Sequence, residues 1–371
     1  LIPNQNQYHR CKNNFATLLP VSLTNTMRCL IIFIATSLLL STCSDQKKFG
    51  KIIEPAFYHW KSVFNPTASD LAALKTNGSN TIYLRFFDVA WDETYLKPSP
   101  IAQVRIADSY FIKSNQLQII PTVFITNECI KNIQTEQCNS LAENILKLIN
   151  EIAFVNSIGA IKEIQIDCDW TASTKEKYFS LLTKLQQIDT QHLYSATIRL
   201  FQVKYAKEAG IPPVKKGLLM CYNMSNLKKL ETKNSIIDPE EIKKYTGKLD
   251  QYPLALDVAL PVFGWYVLFR KNTYAGLIQN LNDDSLNQYA MKLAQNRFAI
   301  NKDVVLNNTA FKKGDLLRYE GSSYTDIMAA ASVLNQKINT DSFKVVLFHL
   351  DSLILSKYSV HEIKNIFRSL H

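Results

Sequence analysis

The chain has 371 residues, 47% hydrophobic and 20% charged, with 42 Lys and Arg against 32 Asp and Glu and a formal charge of +10. That hydrophobic fraction supports a large core and excludes an intrinsically disordered chain. Basic residues are spread thinly, with Lys228-Lys229, Lys243-Lys244 and Lys312-Lys313 as isolated pairs, so no nucleic-acid partner is expected.

Residues 1–26 contain no acid and precede Met27, and the chain opens with Leu, so this stretch reads as an over-extended gene start. Residues 27–42 read as a signal peptide. Arg28 supplies the positive start, and Leu30–Leu40 (LIIFIATSLLL) is an apolar run shorter than the roughly 20 residues a membrane span needs. The run ends in Leu40-Ser41-Thr42-Cys43, which resembles a lipobox with Thr42 in place of the usual Gly, Ala or Ser. Cys43 is then the palmitate-bearing residue, and 43–50 are the lipidated cysteine and its tether. The expectation is an exported lipoprotein, held to the membrane of the bacterial cell envelope through Cys43, with the outer membrane as its site. Residues 1–43 hold Arg10, Lys12 and Arg28 and no acid, so the remainder carries +7.

Beyond the tether, short apolar strands alternate with amphipathic helices, the pattern of a parallel sheet. Strands are expected near 53–60, 81–88, 117–125, 163–169, 194–200, 217–223, 255–263 and 344–350. The first helix opens at Pro66-Thr67-Ala68-Ser69-Asp70 and stops at Asn77-Gly78. Residues 140–154 and 175–188 each carry one apolar stripe. Asp238-Pro239-Glu240-Glu241 combines an N-cap, a proline at the first helical position and first-turn acids. Eight strands without a glycine-rich phosphate loop after the first point to a (β/α)8 TIM barrel over residues 51–371 rather than an open doubly wound sheet. Residues 296–320, with turns at Asn307-Asn308 and Lys313-Gly314-Asp315, read as a small β-hairpin insertion before the last helix.

Export permits disulfides, and Cys129 and Cys138 flank one short loop, so they either pair or remain thiols. Cys168 and Cys221 lie inside predicted strands, as buried thiols would. The histidines are scattered and no Cys/His cluster has zinc spacing, so neither metal nor cofactor is expected.

In such barrels the site lies at the C-terminal ends of the strands. His59 and Trp60 end the first strand, Arg85, Asp88 and Trp91 the second, and Asn127 and Glu128 follow the third. Asp167 and Asp169 end the fourth, Arg199 the fifth, Tyr222 and Asn223 the sixth. Trp265 and Tyr266 follow the seventh, and His349 and Asp351 end the eighth. Carboxylates among aromatic platforms suit sugars, since rings stack on apolar sugar faces while acids bind hydroxyls or exchange protons. Residues i and i+2 of a strand share a face, so Asp167 and Asp169 stand about 6.6 Å apart, and two like charges at that range push one pKa upward. The alternative is that both are charge-paired inside the barrel with Arg85 or Arg199. Trp265 and Tyr266 either line a sugar subsite or cap the core. Of His349 and Asp351, at least one is expected to face the mouth. No GxSxG elbow is present, which argues against an esterase.

Ile164–Thr171 (IQIDCDWT) resembles the fourth-strand signature DxxDxDxE of family 18 glycoside hydrolases, the chitinases and endo-N-acetylglucosaminidases. Asp167 and Asp169 match its second and third acids. Met220-Cys221-Tyr222-Asn223 is similar to that family's sixth-strand MxY[DN], which implies that Tyr222 contacts an acetamido group of the substrate. The family's first Asp falls at Ile164, and its catalytic acid Glu falls at Thr171, which cannot protonate a glycosidic oxygen. Thr126-Asn127-Glu128 resembles the Asn-Glu pair of many retaining glycosidases, where it follows the fourth strand. Glu128 is therefore either a substitute acid or an ordinary loop glutamate. The whole region, including Pro261–Arg270 (PVFGWYVLFR), resembles uncharacterised glycoside-hydrolase-like barrel lipoproteins of bacteroidete bacteria, which implies fold and location but no activity. The resemblance implies a glycan ligand, either hydrolysed with Asp169 and Asp167 central, or only bound.

Overall fold

The structure, a computed structural model, describes residues 51–222, 225–279, 281 and 283–371. Residues 1–50, and with them the signal segment and Cys43, lie outside the described residues, as does Asn223.

Eight parallel strands form the centre: β1 (Ile52–His59), β2 (Thr81–Asp92), β3 (Gln118–Ile125), β4 (Glu163–Asp167), β5 (Leu193–Arg199), β6 (Lys216–Met220), β7 (Ala255–Pro261) and β8 (Ser342–Phe348). Each pairs with its neighbours in chain order, and β1 pairs with both β8 and β2, which closes a (β/α)8 barrel. Strand Lys97–Ile101 adds an antiparallel edge to the far end of β2.

The flanking helices form where the sequence supplies caps and stripes. In α1 (Ala68–Thr76), Thr67 and Asp70 make a reciprocal capping box, and Gly78 follows at φ +65°, a conformation that disfavours residues with a Cβ. In α2 (Cys138–Val155), Leu141, Ile145, Ile149 and Ile152 are buried on one face; α3 (Lys175–Ile188) buries Tyr178, Leu181, Leu182 and Leu185. Asp238 accepts from the backbone N–H groups of Glu240 and Glu241 to start α4 (Pro239–Tyr245). Two more helices, α5 (Tyr324–Asn335) and α6 (Val360–Arg368), complete the ring around β8.

Strand parity sorts the barrel. Outward residues meet helices, as when the Phe57 ring meets Phe367 of α6 edge-on at 5.4 Å. Inward residues cross the barrel, as when the Tyr58 hydroxyl donates to the Gln165 side chain of β4. At the N-terminal ends of the strands, the floor, Lys216 lies 2.5 Å from Asp257 and 3.4 Å from Glu163, and Lys344 lies 3.3 Å from Glu163. The Tyr83 hydroxyl donates to Asp257 at 3.1 Å and Ser195 donates to Glu163 at 2.7 Å. Two acids thus meet two ammonium groups, so the buried charges are paired, as burial requires.

Two expectations change. β7 stops at Pro261, and the insertion begins at Gly264 rather than at 296. Strands Gly264–Arg270, Thr273–Ile278, Ala290–Ala294, Arg297–Ile300 and Leu316–Gly321 form a five-stranded antiparallel sheet, with a two-stranded hairpin at Val304–Leu306 and Thr309–Phe311. This sheet has its own apolar core, including Tyr266, Leu268, Ile300 and Leu317. Cys129 and Cys138 are both buried free thiols, so no disulfide joins them, and burial pushes the Cys129 thiol up to about 12. Cys168 and Cys221 are buried thiols as well.

Candidate functional site

The mouth of the barrel collects the inward residues at the C-terminal strand ends. Asp167, the last residue of β4, is 2% exposed and accepts a hydrogen bond from Thr197 of β5 at 2.5 Å. Burial raises its pKa to about 6, with Asp169 and Asp88 adding repulsion and Arg199 and the Thr197 bond opposing them. Asp169 lies two residues on and its side chain is 51% exposed; the Arg199 Nε donates to it at 2.5 Å. The guanidinium of Arg199 is largely desolvated, but Asp169 and Asp167 together hold its pKa above the usual arginine value. One arginine therefore serves two carboxylates, of which only Asp169 reaches solvent.

Aromatic rings wall this charge. Tyr222, just beyond β6, is 4% exposed, meets Phe348 at 5.4 Å and Phe263 at 6.0 Å, and lies within electrostatic reach of Arg199 and Asp167. Its hydroxyl is buried without a hydrogen-bond partner among the described residues. Half-buried Trp60 packs against Tyr58, Phe124 and Phe348 at 5.5–6.1 Å, and the Arg85 guanidinium sits 5.2 Å over its ring. Arg85 is in turn bidentate on Asp88, with Nε–Oδ1 at 2.6 Å. Residues three apart on a strand normally face opposite ways; an irregularity in β2 between Arg85 and Phe87 turns Asp88 back beside Arg85.

The remaining candidates sit elsewhere. Phe348, the last residue of β8, faces the mouth, whereas His349 beyond it has its ring 6.2 Å from that of His59, an outward residue of β1. The His59 Nε2 lies 3.1 Å from the Val63 carbonyl, and its ring meets Phe64 edge-on. Burial, and next His59, push His349 down to about 4. Asp351 caps helix Ser352–Leu355 and pairs with Lys61. These three belong to the packing of β1 and β8 against the outer ring. Tyr266 is buried in the insertion's own core, against Phe298 and Tyr319, and does not line a subsite. Trp265 is 9% exposed, meets Phe263 at 5.2 Å with the rings tilted, and donates its Nε1–H to Glu320 of the neighbouring insertion strand at 2.9 Å, so it is packed in place instead of offering an open platform.

Glu128 is exposed in the first turn of helix Asn127–Asn132, where the helix N-terminus favours a negative charge, and it makes no hydrogen bond among the described residues. Its neighbour Asn127 accepts from Thr174 at 2.7 Å. Thr171 is exposed, its hydroxyl 2.9 Å from Ser173 and 3.3 Å from Thr174. Sequence reasoning missed Tyr58, Phe124, Thr197, Phe263 and Phe348. Strand parity, counted back from Trp60 and Arg199, carries the signal for Tyr58 and Thr197.

The loop between β6 and α4 is fastened from the side. Arg318, fully buried, pairs with Glu320 at 2.7 Å and donates to the carbonyls of Leu227, Lys229 and Leu230. Glu320 also accepts from Ser235. The insertion and this loop, which continues from Tyr222, therefore form one wall of the mouth.

No protein-family model and no curated protein matches the chain. Solved structures do, at the level of fold. A chitinase from Bacteroides thetaiotaomicron aligns with a TM-score of 0.54 at 10% identity over 86% of this chain and 97% of that one. The spore cortex-lytic enzyme SleL of Bacillus cereus aligns with a TM-score of 0.51 at 12% identity over 87% of this chain and 75% of that one. The C-terminal domain of a putative chitinase from Desulfitobacterium hafniense gives 0.51 at 10% identity, covering 87% and 100%. The expected likeness to chitinase-type barrels is therefore present in the fold.

Proposed function

We propose that this chain is an envelope-anchored barrel that binds a glycan carrying acetamido groups and lacks the proton donor needed to hydrolyse it efficiently. The observation that carries this reading is Thr171. It stands where the family pattern has its acid, and its hydroxyl is engaged with Ser173 and Thr174. Glycoside hydrolysis requires an acid at the leaving oxygen. Asp169 is exposed but held by Arg199, and Asp167 is too buried to touch a ligand. The binding parts remain: the rings of Trp60, Phe263 and Phe348, the carboxylates Asp88 and Asp169, and an orphaned Tyr222 hydroxyl that can donate to a ligand carbonyl. A buried hydroxyl left without a partner calls for an explanation, and a ligand acceptor is one.

A second reading keeps the barrel as a hydrolase. It is favoured by the carboxylate pair, in which burial raises Asp167 to about 6 behind an exposed Asp169 that can meet the ligand. A glycan array together with chromogenic N-acetylhexosaminides separates the two. On the binding reading the native chain binds acetamido glycans without turnover, and Thr171→Glu gains measurable turnover. Native turnover that Asp169→Asn abolishes would replace the binder with an enzyme.

A further inference from the structure

We propose that the floor of the barrel docks on an anionic phospholipid bilayer, so that the mouth points away from the membrane. The proposal rests on the anchor reading of Cys43 for its geometry, but the docking surface is made by the folded domain. The floor is the face where helices end and strands begin. At it, Phe154 and Val155, the last two residues of α2, are 87% and 77% exposed. Ile188, the last residue of the adjoining α3, is 42% exposed, and Ile52 at the start of β1 is 65% exposed. Phe154, Val155 and Ile188, at the ends of two adjoining helices, make a projecting apolar corner of this face, with Ile52 apart from it on β1, and a grouped set of apolar side chains this open marks a surface with a partner.

Two observations select a lipid surface over a protein. The first is charge. Lys75, Lys113, Lys162, Lys215 and Lys248 are exposed in the last turns and loops that lead into the strands on this face. Against them stand exposed Asp341 and Asp250, the latter 3.8 Å from Lys337, with Glu54 in β1 and Glu151, 3.9 Å from Lys147, near the end of α2, so the lysines outnumber the acids by a small margin. Apolar side chains on a face that carries lysines in five of its loops match the interfacial zone of an anionic bilayer, where hydrocarbon is buried and each ammonium group meets lipid phosphate. The second is where the chain enters. Lys51 leads directly into β1 at the floor, and seven residues, Ser44 to Gly50, separate it from Cys43. Fully extended, they reach at most about 25 Å. A lipid on Cys43 therefore pulls the barrel down by its floor. Among the described residues no helix is long and apolar enough to cross a membrane, so the contact is a surface one.

The test places an environment-sensitive fluorophore on the full-length protein at Val155→Cys, and for comparison at Tyr95→Cys, an exposed position in the hairpin beside the mouth. The four described native cysteines are buried and do not compete for label, and the label taken by Cys11, Cys29 and Cys43 is read from the protein with neither new cysteine and subtracted. Each protein is mixed with phosphatidylcholine vesicles, with and without phosphatidylglycerol, and the same samples are assayed for palmitate. A blue shift at 155 and none at 95, strengthened by phosphatidylglycerol and weakened by salt, supports the floor. Phe154→Asp removes that shift without altering the circular dichroism, because the side chain projects from the surface. No shift at 155 overturns the docking surface whether or not palmitate is present. A shift at 155 without palmitate keeps the surface and removes the anchor.

Discussion

Asp167→Asn is expected to make the protein more stable at neutral pH, and the sign follows from burial. In the folded chain this carboxyl is raised from 3.8 to about 6, chiefly by desolvation. Between those values the folded protein holds a proton that the unfolded chain has released. Its contribution is therefore fully present below pH 3.8 and is lost as pH rises through 6. At pH 7.5 the ionised, buried carboxylate destabilises the native state by about 3 kcal/mol. An asparagine of the same shape carries no charge, and its carbonyl can still accept from Thr197, which donates to Asp167 at 2.5 Å. The variant should gain about 3 kcal/mol at pH 7.5, or about 5 °C in Tm for a domain of roughly 320 residues. The gain should vanish by pH 4. Urea or thermal unfolding of both proteins across pH 4–7.5 measures it, and the difference between them cancels the other carboxylates. A variant no more stable than the native chain at pH 7.5, or a gain independent of pH, would refute the reasoning.

Asp169→Asn should behave differently. Its side chain is half-exposed, and a pair of that kind is worth about 1 kcal/mol or less, so Tm stays within about 2 °C while glycan binding is lost; strong destabilisation with binding retained would make the carboxylate scaffolding. Arg318→Met leaves Glu320 buried without its cation and should destabilise by about 3–5 kcal/mol in urea unfolding. Adding Glu320→Gln should recover part of that loss, and no recovery in the double variant would mean that the orphaned loop carbonyls, not the charge, set the penalty.

The barrel was legible because its signals are local. Each strand is a short apolar run, and the starts and stops of α1 and α4 are capping and proline chemistry within a few residues. The insertion was hidden by the same locality. Gly264–Arg270 continues the apolar run of β7, and its hairpin turns on Lys271-Asn272, at φ +51° and +61°, without the Asn-Gly signature that marks such turns. The site was half legible. Polar residue type picked out His349 and Asp351, whereas strand parity, set by Tyr58 pairing with Phe348, turns Phe348 inward. Arg85 and Asp88 share the mouth only because of a strand irregularity, which depends on pairing with β3 and leaves no mark in the sequence.

The two ends of the barrel hold their buried charges differently. At the floor, Glu163 and Asp257 face Lys216 and Lys344, and the hydroxyls of Tyr83 and Ser195 fill remaining lone pairs. At the mouth, Arg199 is shared by two acids, Asp167 is held ionisable at a stability cost, and the Tyr222 hydroxyl has no partner among the described residues, although the Ser79 and Tyr252 hydroxyls on the floor side lack one too. A scaffold with no ligand to serve would gain stability by replacing Asp167 with a neutral residue and Tyr222 with phenylalanine. Polar groups left short of partners beside a ring of aromatics are what a site looks like when its last hydrogen bonds come from the ligand. On the binding reading proposed above, Thr171 leaves that site without the family's acid while the aromatic rings and the Tyr222 hydroxyl stay in place.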